Sequence, residues 1–318
     1  MALDVIRFNH EGRTQWGVLE RGRIRIVPGE FATTADFLRA NSMESLGRLG
    51  PASLDESAVQ LLSPITRNQQ VICQGANYRS HMLESGLDPN EKTFNMIFRK
   101  ASSSIVGATN DVVRPAHVRL LDYEVELGLV LGADVTSAKI FTDANLHEVI
   151  AGIVIVNDYS ARDVQIPETQ FYKGKSYRTF APVGPRLCLL AKEDLPRLGN
   201  LRMRLMVNGQ IRQDASTAEL VFGPAETLTE LSSVQDLFTG DLIATGTPAG
   251  CALRVPPKIV QKAGALLSDR ARYRIFVEGQ AKRSAYLKPG DVVEATIWSD
   301  DGLVNLGTQR NRIVAEPS

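Results

Sequence analysis

Three cysteines in 318 residues, Cys73, Cys188 and Cys251, stand far apart with no Cys-x-x-Cys pair. They indicate neither a disulfide framework nor a zinc knuckle, and suit a reducing, cytoplasmic setting and a packing role. Net charge is missing too: 36 Lys and Arg balance 36 Asp and Glu. That removes the electrostatic footprint of a general nucleic-acid binder and leaves a small or locally charged ligand as the expectation. No apolar run approaches the length of a bilayer span, and Met1-Ala2-Leu3-Asp4-Val5-Ile6-Arg7 lacks the basic-then-apolar order of a signal peptide. A protein neither membrane-bound nor exported is expected. There is no internal repeat and no low-complexity segment.

What is present is enough apolar sequence, 43% of the chain, for a substantial core. Short alternations from Leu3 to Val27, broken at Glu11-Gly12 and Arg21-Gly22, predict small antiparallel strands, and Ala35 to Leu46 has helical spacing. Leu61-Leu62-Ser63-Pro64 marks a boundary near residue 65, giving a small N-terminal α/β domain over 1–65 and a main body over 66–318. In the body, strands are expected at Val71 to Cys73, Asp122 to Leu131, Gly152 to Val156, Leu201 to Val207, Leu242 to Ala244 and Val292 to Ile297. Helices are few: Arg79 to Ser85, Asp143 to Glu148 and Pro224 to Ser232. The class is a β-rich α+β fold. From about 256 to 287 the sequence is locally basic, and Ile259, Ala263, Leu266 and Leu267 recur at helical spacing. This insertion is either an amphipathic helix packed on the body or a partner, or a solvated surface excursion.

The stretch Leu121-Asp122-Tyr123-Glu124-Val125-Glu126-Leu127 places two carboxylates two residues apart in an otherwise apolar strand. A two-residue period sends Glu124 and Glu126 to one face. A strand with one solvated face would also carry acids this way. Buried together they repel and lose hydration, and a hard divalent cation, Mg²⁺ or Mn²⁺, is what neutralises them. The apolar run from Ala151 to Val156 ends in Asn157-Asp158, delivering a third carboxylate, and three acids at strand ends suit an oxygen-ligated metal. Upstream, His81 and Glu84 share a helix face three residues apart, the arrangement in which a carboxylate orients an imidazole as a general base, or an ordinary surface pair. The segments 159–165 and 170–185 suit a binding loop or a solvated one. The turn Thr245-Gly246-Thr247-Pro248-Ala249-Gly250 could bring backbone N–H groups to an anion.

GANYRSH, DYEVEL, NDYSARDVQ, KGKSYRTFAPVGP, VNGQIRQ, TGTPAG and YLKPGDVVE follow one another over roughly residues 70 to 310, and in that order they resemble the fumarylacetoacetate hydrolase family. The resemblance implies a mixed β-roll catalytic domain, a smaller N-terminal domain, a homodimer or higher oligomer and one Mg²⁺ or Mn²⁺ per site. Carried over by position, it implies Glu124, Glu126 and Asp158 as metal ligands, His81 and Glu84 as the catalytic pair, and Gln165, Lys175 and Thr247 as groups that meet substrate or its developing charge. Arg178 departs from the Asp of many members, and would be structural or add positive charge near a carboxylate-bearing substrate; the basic insertion is longer than in compact members. The implied activity is metal-dependent hydrolysis of a carbon–carbon bond in a 2,4-dioxo acid of the acylpyruvate or fumarylpyruvate type, as in aromatic or amino-acid catabolism. Lys175 would stabilise the enolate and Gln165 orient substrate or water. The same ligands serve oxaloacetate decarboxylation, ketol or enol isomerisation and 2-oxo-alkenoate hydration, and a non-catalytic binding protein on this fold is a further alternative.

Overall fold

The computed structural model describes residues 2–91, 94–255 and 267–317. Strand alternation builds it. In Val125–Leu131 and Ile150–Asn157, paired antiparallel with Leu127 opposite Ile155, both faces are buried. Leu127, Leu129, Leu131, Ile153 and Ile155 join one apolar cluster with Met203, Leu205, Ala295 and Ile297. Val130, Val154 and Val156 turn the other way, to a second cluster with Trp16, Phe37, Val71 and Cys73. Each such side chain, taken fully out of water, contributes about 1.5–3 kcal/mol.

The main sheet has thirteen strands among the described residues. Its path runs from Leu54–Asp55 through Arg23–Ile26, Arg13–Glu20, Leu3–His10, Leu187–Leu189, Ile150–Asn157, Val125–Leu131, Leu242–Ala244 and Val71–Gly75 to Met96–Lys100. Leu3–His10 pairs antiparallel with both Gln60–Leu62 and Leu187–Leu189, so this sheet crosses the boundary expected near residue 65. A second sheet, Gln210–Ser216, Leu201–Val207, Val292–Ser299, Asn305–Ala315 and Val112–Arg114, packs its apolar face on the first. The fold is mixed α+β and strand-rich, with no closed barrel among the described residues.

The single helix expected over Ala35 to Leu46 is two, Thr34–Ala40 and Met43–Gly47, because Thr33 and Ser42 each cap a new start. Of the predicted helix Asp143 to Glu148 only a 3₁₀ turn, Leu146–Glu148, forms. In the basic insertion, Asp269–Ala281 is helical with Ser268 as N-cap. Ile259, Ala263 and Leu266 lie outside the described residues.

Candidate active site

The strand predicted over Asp122 to Leu131 is interrupted, and the interruption makes the site. Leu121–Asp122 pairs with Ser160–Ala161, and the main strand resumes at Val125. Between them the Glu124 N–H donates to Asn157 Oδ1 (2.9 Å), and the Asp158 N–H donates to the Glu124 carbonyl (2.8 Å). A side-chain amide thus replaces a ladder bond and sets Glu124 beside Asp158. Glu126, opposite Val156, follows inside the strand. Oxygens of Glu124, Glu126 and Asp158 lie within 4.8 Å of one another, and all three residues are buried.

Cations gather round this cluster. Lys175 Nζ donates to Glu124 Oε2 (2.7 Å) and to Asp158 Oδ2, and Lys100 Nζ donates to Asp158 Oδ1 and, at 3.2 Å, to the Tyr159 carbonyl. Arg162 donates through Nη2 to Glu124, through Nε to Asp122 Oδ2 (2.9 Å) and through Nη1 to Gln165 Oε1 (2.8 Å). Burial opposes ionisation of Glu124, but Lys175 and Arg162 outweigh it and hold that carboxyl well below the usual carboxylate range. Burial likewise works against the Lys175 ammonium, and Asp158 and Glu124 hold its pKa up.

Glu126 has a different environment. Burial, then Asp158 and Glu124, push its carboxyl well above the usual range. Among the described residues it forms no salt bridge; Oε2 accepts the Gly246 N–H at 2.9 Å. Four buried carboxylates, Asp122, Glu124, Glu126 and Asp158, therefore face three cations, with the deficit at Glu126. An all-oxygen donor set short of positive charge fits a hard divalent cation, and these three residues could hold one.

The Gly246 N–H reaches Glu126 because Gly246 adopts φ +89°, where a Cβ would stand 3.0 Å from the Asn77 Cβ. Gly174 lets the Phe171–Lys175 helix lie on Gln165, whose backbone N would be 2.8 Å from an added Cβ; that contact delivers Lys175.

Not every residue expected at the site behaves as expected. His81, on Arg79–Glu84, lies close enough to Glu124 to feel its charge; burial lowers its pKa and keeps it neutral, and its buried Nδ1 has no hydrogen-bond partner among the described residues. Glu84 does not bond to it. Its Oε2 accepts the Gly250 N–H (3.0 Å) and its Oε1 pairs with Arg254 Nη1 (2.6 Å), which docks the helix on the glycine turn. Thr247 is buried, donating to the Val125 carbonyl (3.0 Å) and accepting from Gln213 Nε2 (2.8 Å). Gln165 is buried against Arg162. Arg178 is exposed and forms no hydrogen bond or ion pair with the cluster among the described residues.

Four polar residues at the site received no role from the sequence: Lys100, Asp122, Arg162 and Gln213. Asp122 accepts from the Tyr123, Ala252 and Leu253 N–H groups as well as Arg162, tying the chain beyond the glycine turn to the cluster. Asp122, Arg162 and Gln213 stand inside recognisable motifs, and that was the available signal; Lys100 stands in none.

Residues 70–314 match the sequence model of the fumarylacetoacetate (FAA) hydrolase C-terminal domain. The chain belongs to the fumarylacetoacetate hydrolase family. It is 37% identical over 213 residues to a mitochondrial oxaloacetate tautomerase of Bos taurus, covering 66% of this chain and 65% of that relative, so the chain spans somewhat under two thirds of it. It is 33% identical over 311 residues to the 2,4-didehydro-3-deoxy-L-rhamnonate hydrolase of a Sphingomonas species, covering 96% of this chain and 94% of that relative. Among solved structures, the fumarylacetoacetate hydrolase of Exiguobacterium antarcticum superposes with a TM-score of 0.75 at 30% identity, over 99% of this chain and 100% of that one. Hydrolases and tautomerases thus both occur among this family member's relatives. No helix among its described residues is long and apolar enough to cross a membrane.

Proposed function

We propose that this chain is a divalent-metal-dependent enzyme acting on a small 2-oxo acid, and that its reaction is hydrolytic cleavage of a carbon–carbon bond in a 2,4-dioxo acid. The observation that carries the reading is the buried Glu124, Glu126 and Asp158 cluster, short of one cation at Glu126 and backed by Lys175. A Mg²⁺ or Mn²⁺ held there would polarise the 2-oxo group and offset negative charge as it develops. Lys175 and Arg162 add fixed positive charge in a water-poor setting, where it stabilises an enolate more than it could in water. Neutral His81 is the base that takes a proton from water, and Gln165, held by Arg162, orients the substrate or that water. The end-to-end likeness to a hydrolase supports this assignment.

A second reading, keto–enol tautomerisation of oxaloacetate, is favoured by one observation. Glu84 is engaged by Arg254 and Gly250, so the pair that would activate water is not joined, whereas carrying one proton between the C3 carbon and the C2 oxygen of oxaloacetate needs one neutral base, His81, and no activated water. The tautomerase relative lends it support. Product analysis separates the two. Mg²⁺-loaded protein given acylpyruvates, fumarylpyruvate and oxaloacetate is expected to release pyruvate plus a second carboxylic acid from an acylpyruvate or fumarylpyruvate and to leave oxaloacetate uncleaved. Faster enol–keto exchange of oxaloacetate with no cleavage of any substrate would transfer the assignment to the tautomerase. Release of carbon dioxide from oxaloacetate alone would make it a decarboxylase.

A further inference from the structure

Away from the acidic cluster, and sharing none of its residues, lies a cavity of about 490 Å³ at the seam between the N-terminal strands and the body. Ala32, Leu62 and Val106 give it an apolar wall, and two arginines line it, Arg7 from Leu3–His10 and Arg67 from the segment just past residue 65. No Asp or Glu lines it. Neither arginine has a carboxylate within ion-pair distance among the described residues. Arg67 Nε donates to the Ile105 carbonyl at 3.1 Å, and Arg7 makes one long contact, Nη1 to the Ser63 carbonyl at 3.5 Å. The Nε of Arg7 is buried with no hydrogen-bond partner among the described residues.

A half-buried guanidinium without a counterion is an unfavourable arrangement, since desolvation is not offset by a pair. Burial accordingly draws the Arg7 pKa down. Such a group persists most easily where an anion from outside completes it, and a guanidinium's fork of donors suits the paired oxygens of a carboxylate or phosphate. A cavity this size with an apolar wall has room for an organic body behind that oxyanion.

We propose that this cavity is a second ligand site, distinct from the acidic cluster, that takes a small organic anion, its carboxylate or phosphate held by Arg7 and Arg67 and its apolar part against Ala32, Leu62 and Val106. Arg7 lies before the expected domain boundary and Ile105 beyond it, so the ligand bridges the seam and stabilises the folded chain by mass action.

The test is calorimetric titration and thermal unfolding of full-length, metal-free protein with benzoate, phenyl phosphate and inorganic phosphate, against chloride at matched ionic strength. Removing metal keeps binding at the acidic cluster out of the measurement. Saturable one-to-one binding of benzoate or phenyl phosphate is expected, tighter than that of inorganic phosphate, and whichever binds tighter identifies the oxyanion. Arg7→Gln and Arg67→Gln should each weaken it about tenfold or more. Arg67 is exposed, so Arg67→Gln loses only the bond to the Ile105 carbonyl, should stay folded, and carries the test if Arg7→Gln is unstable. Absence of saturable binding by all three probes, or binding undiminished in Arg67→Gln, would overturn the proposal.

Discussion

At Glu126, burial and the neighbouring Asp158 and Glu124 oppose the charge, and that opposition is measurable without turnover. A carboxyl whose pKa is higher folded than unfolded takes stability away as pH rises, because the unfolded chain ionises first. In metal-free protein at neutral pH, Glu126→Gln should therefore stabilise by about 1–3 kcal/mol while keeping an acceptor for the Gly246 N–H. The gain should vanish toward acid pH, where Glu126 is protonated in the folded and the unfolded parent alike. Urea unfolding at both pH values checks this, and a destabilised variant at neutral pH would count against the charge deficit. His81 makes a second case. Its pKa is lowered by burial, so it stays deprotonated below the ordinary imidazole range, and the acid limb of kcat/KM due to His81 should lie below that range. His81→Ala should lower kcat by about 10²–10⁴ on any substrate turned over, and unchanged turnover would remove His81 from the mechanism.

Among elements, the turn around Gly246 connects fold and site most directly. Its left-handed backbone aims one N–H at Glu126 and stands against Asn77, whose side chain donates to the Thr245 carbonyl at 2.9 Å. Gly246→Ala should cost about 1–3 kcal/mol from backbone strain and weaken metal binding; a variant with parental stability and metal affinity would show that the turn tolerates another conformation. The same scale shows what sequence periodicity could and could not reveal. Leu201–Val207 and Leu242–Ala244 form where alternation and apolar runs place them, because burial there is decided by neighbours along the strand. The break before Val125 was not legible that way, since it depends on Asn157 from another strand taking the Glu124 N–H. Glu84 is a similar case: helical spacing puts it on the His81 face, but Arg254 and Gly250, far away in sequence, claim its oxygens. Lys100 reaches Asp158 only because Met96–Lys100 pairs with Val71–Gly75, a neighbour relation that no local pattern announces.

Over the whole molecule, the balance of 36 acidic and 36 basic side chains conceals a local separation of charge among the described residues, acid in excess at the buried cluster and arginine without counterions at the seam cavity. Composition could report only the sum. The motifs located the carboxylates, Lys175 and Gln165, since each follows a short pattern along the chain, and the family match covers the region that holds them. Whether the three carboxylates bind a divalent cation is the point on which the functional proposal rests, and Mn²⁺ binding measured by calorimetry on chelator-stripped protein tests it most directly. One Mn²⁺ per chain should bind to the parent, with binding lost or weakened at least about tenfold in Asp158→Asn. No saturable binding, or equal affinity in that variant, would contradict the account.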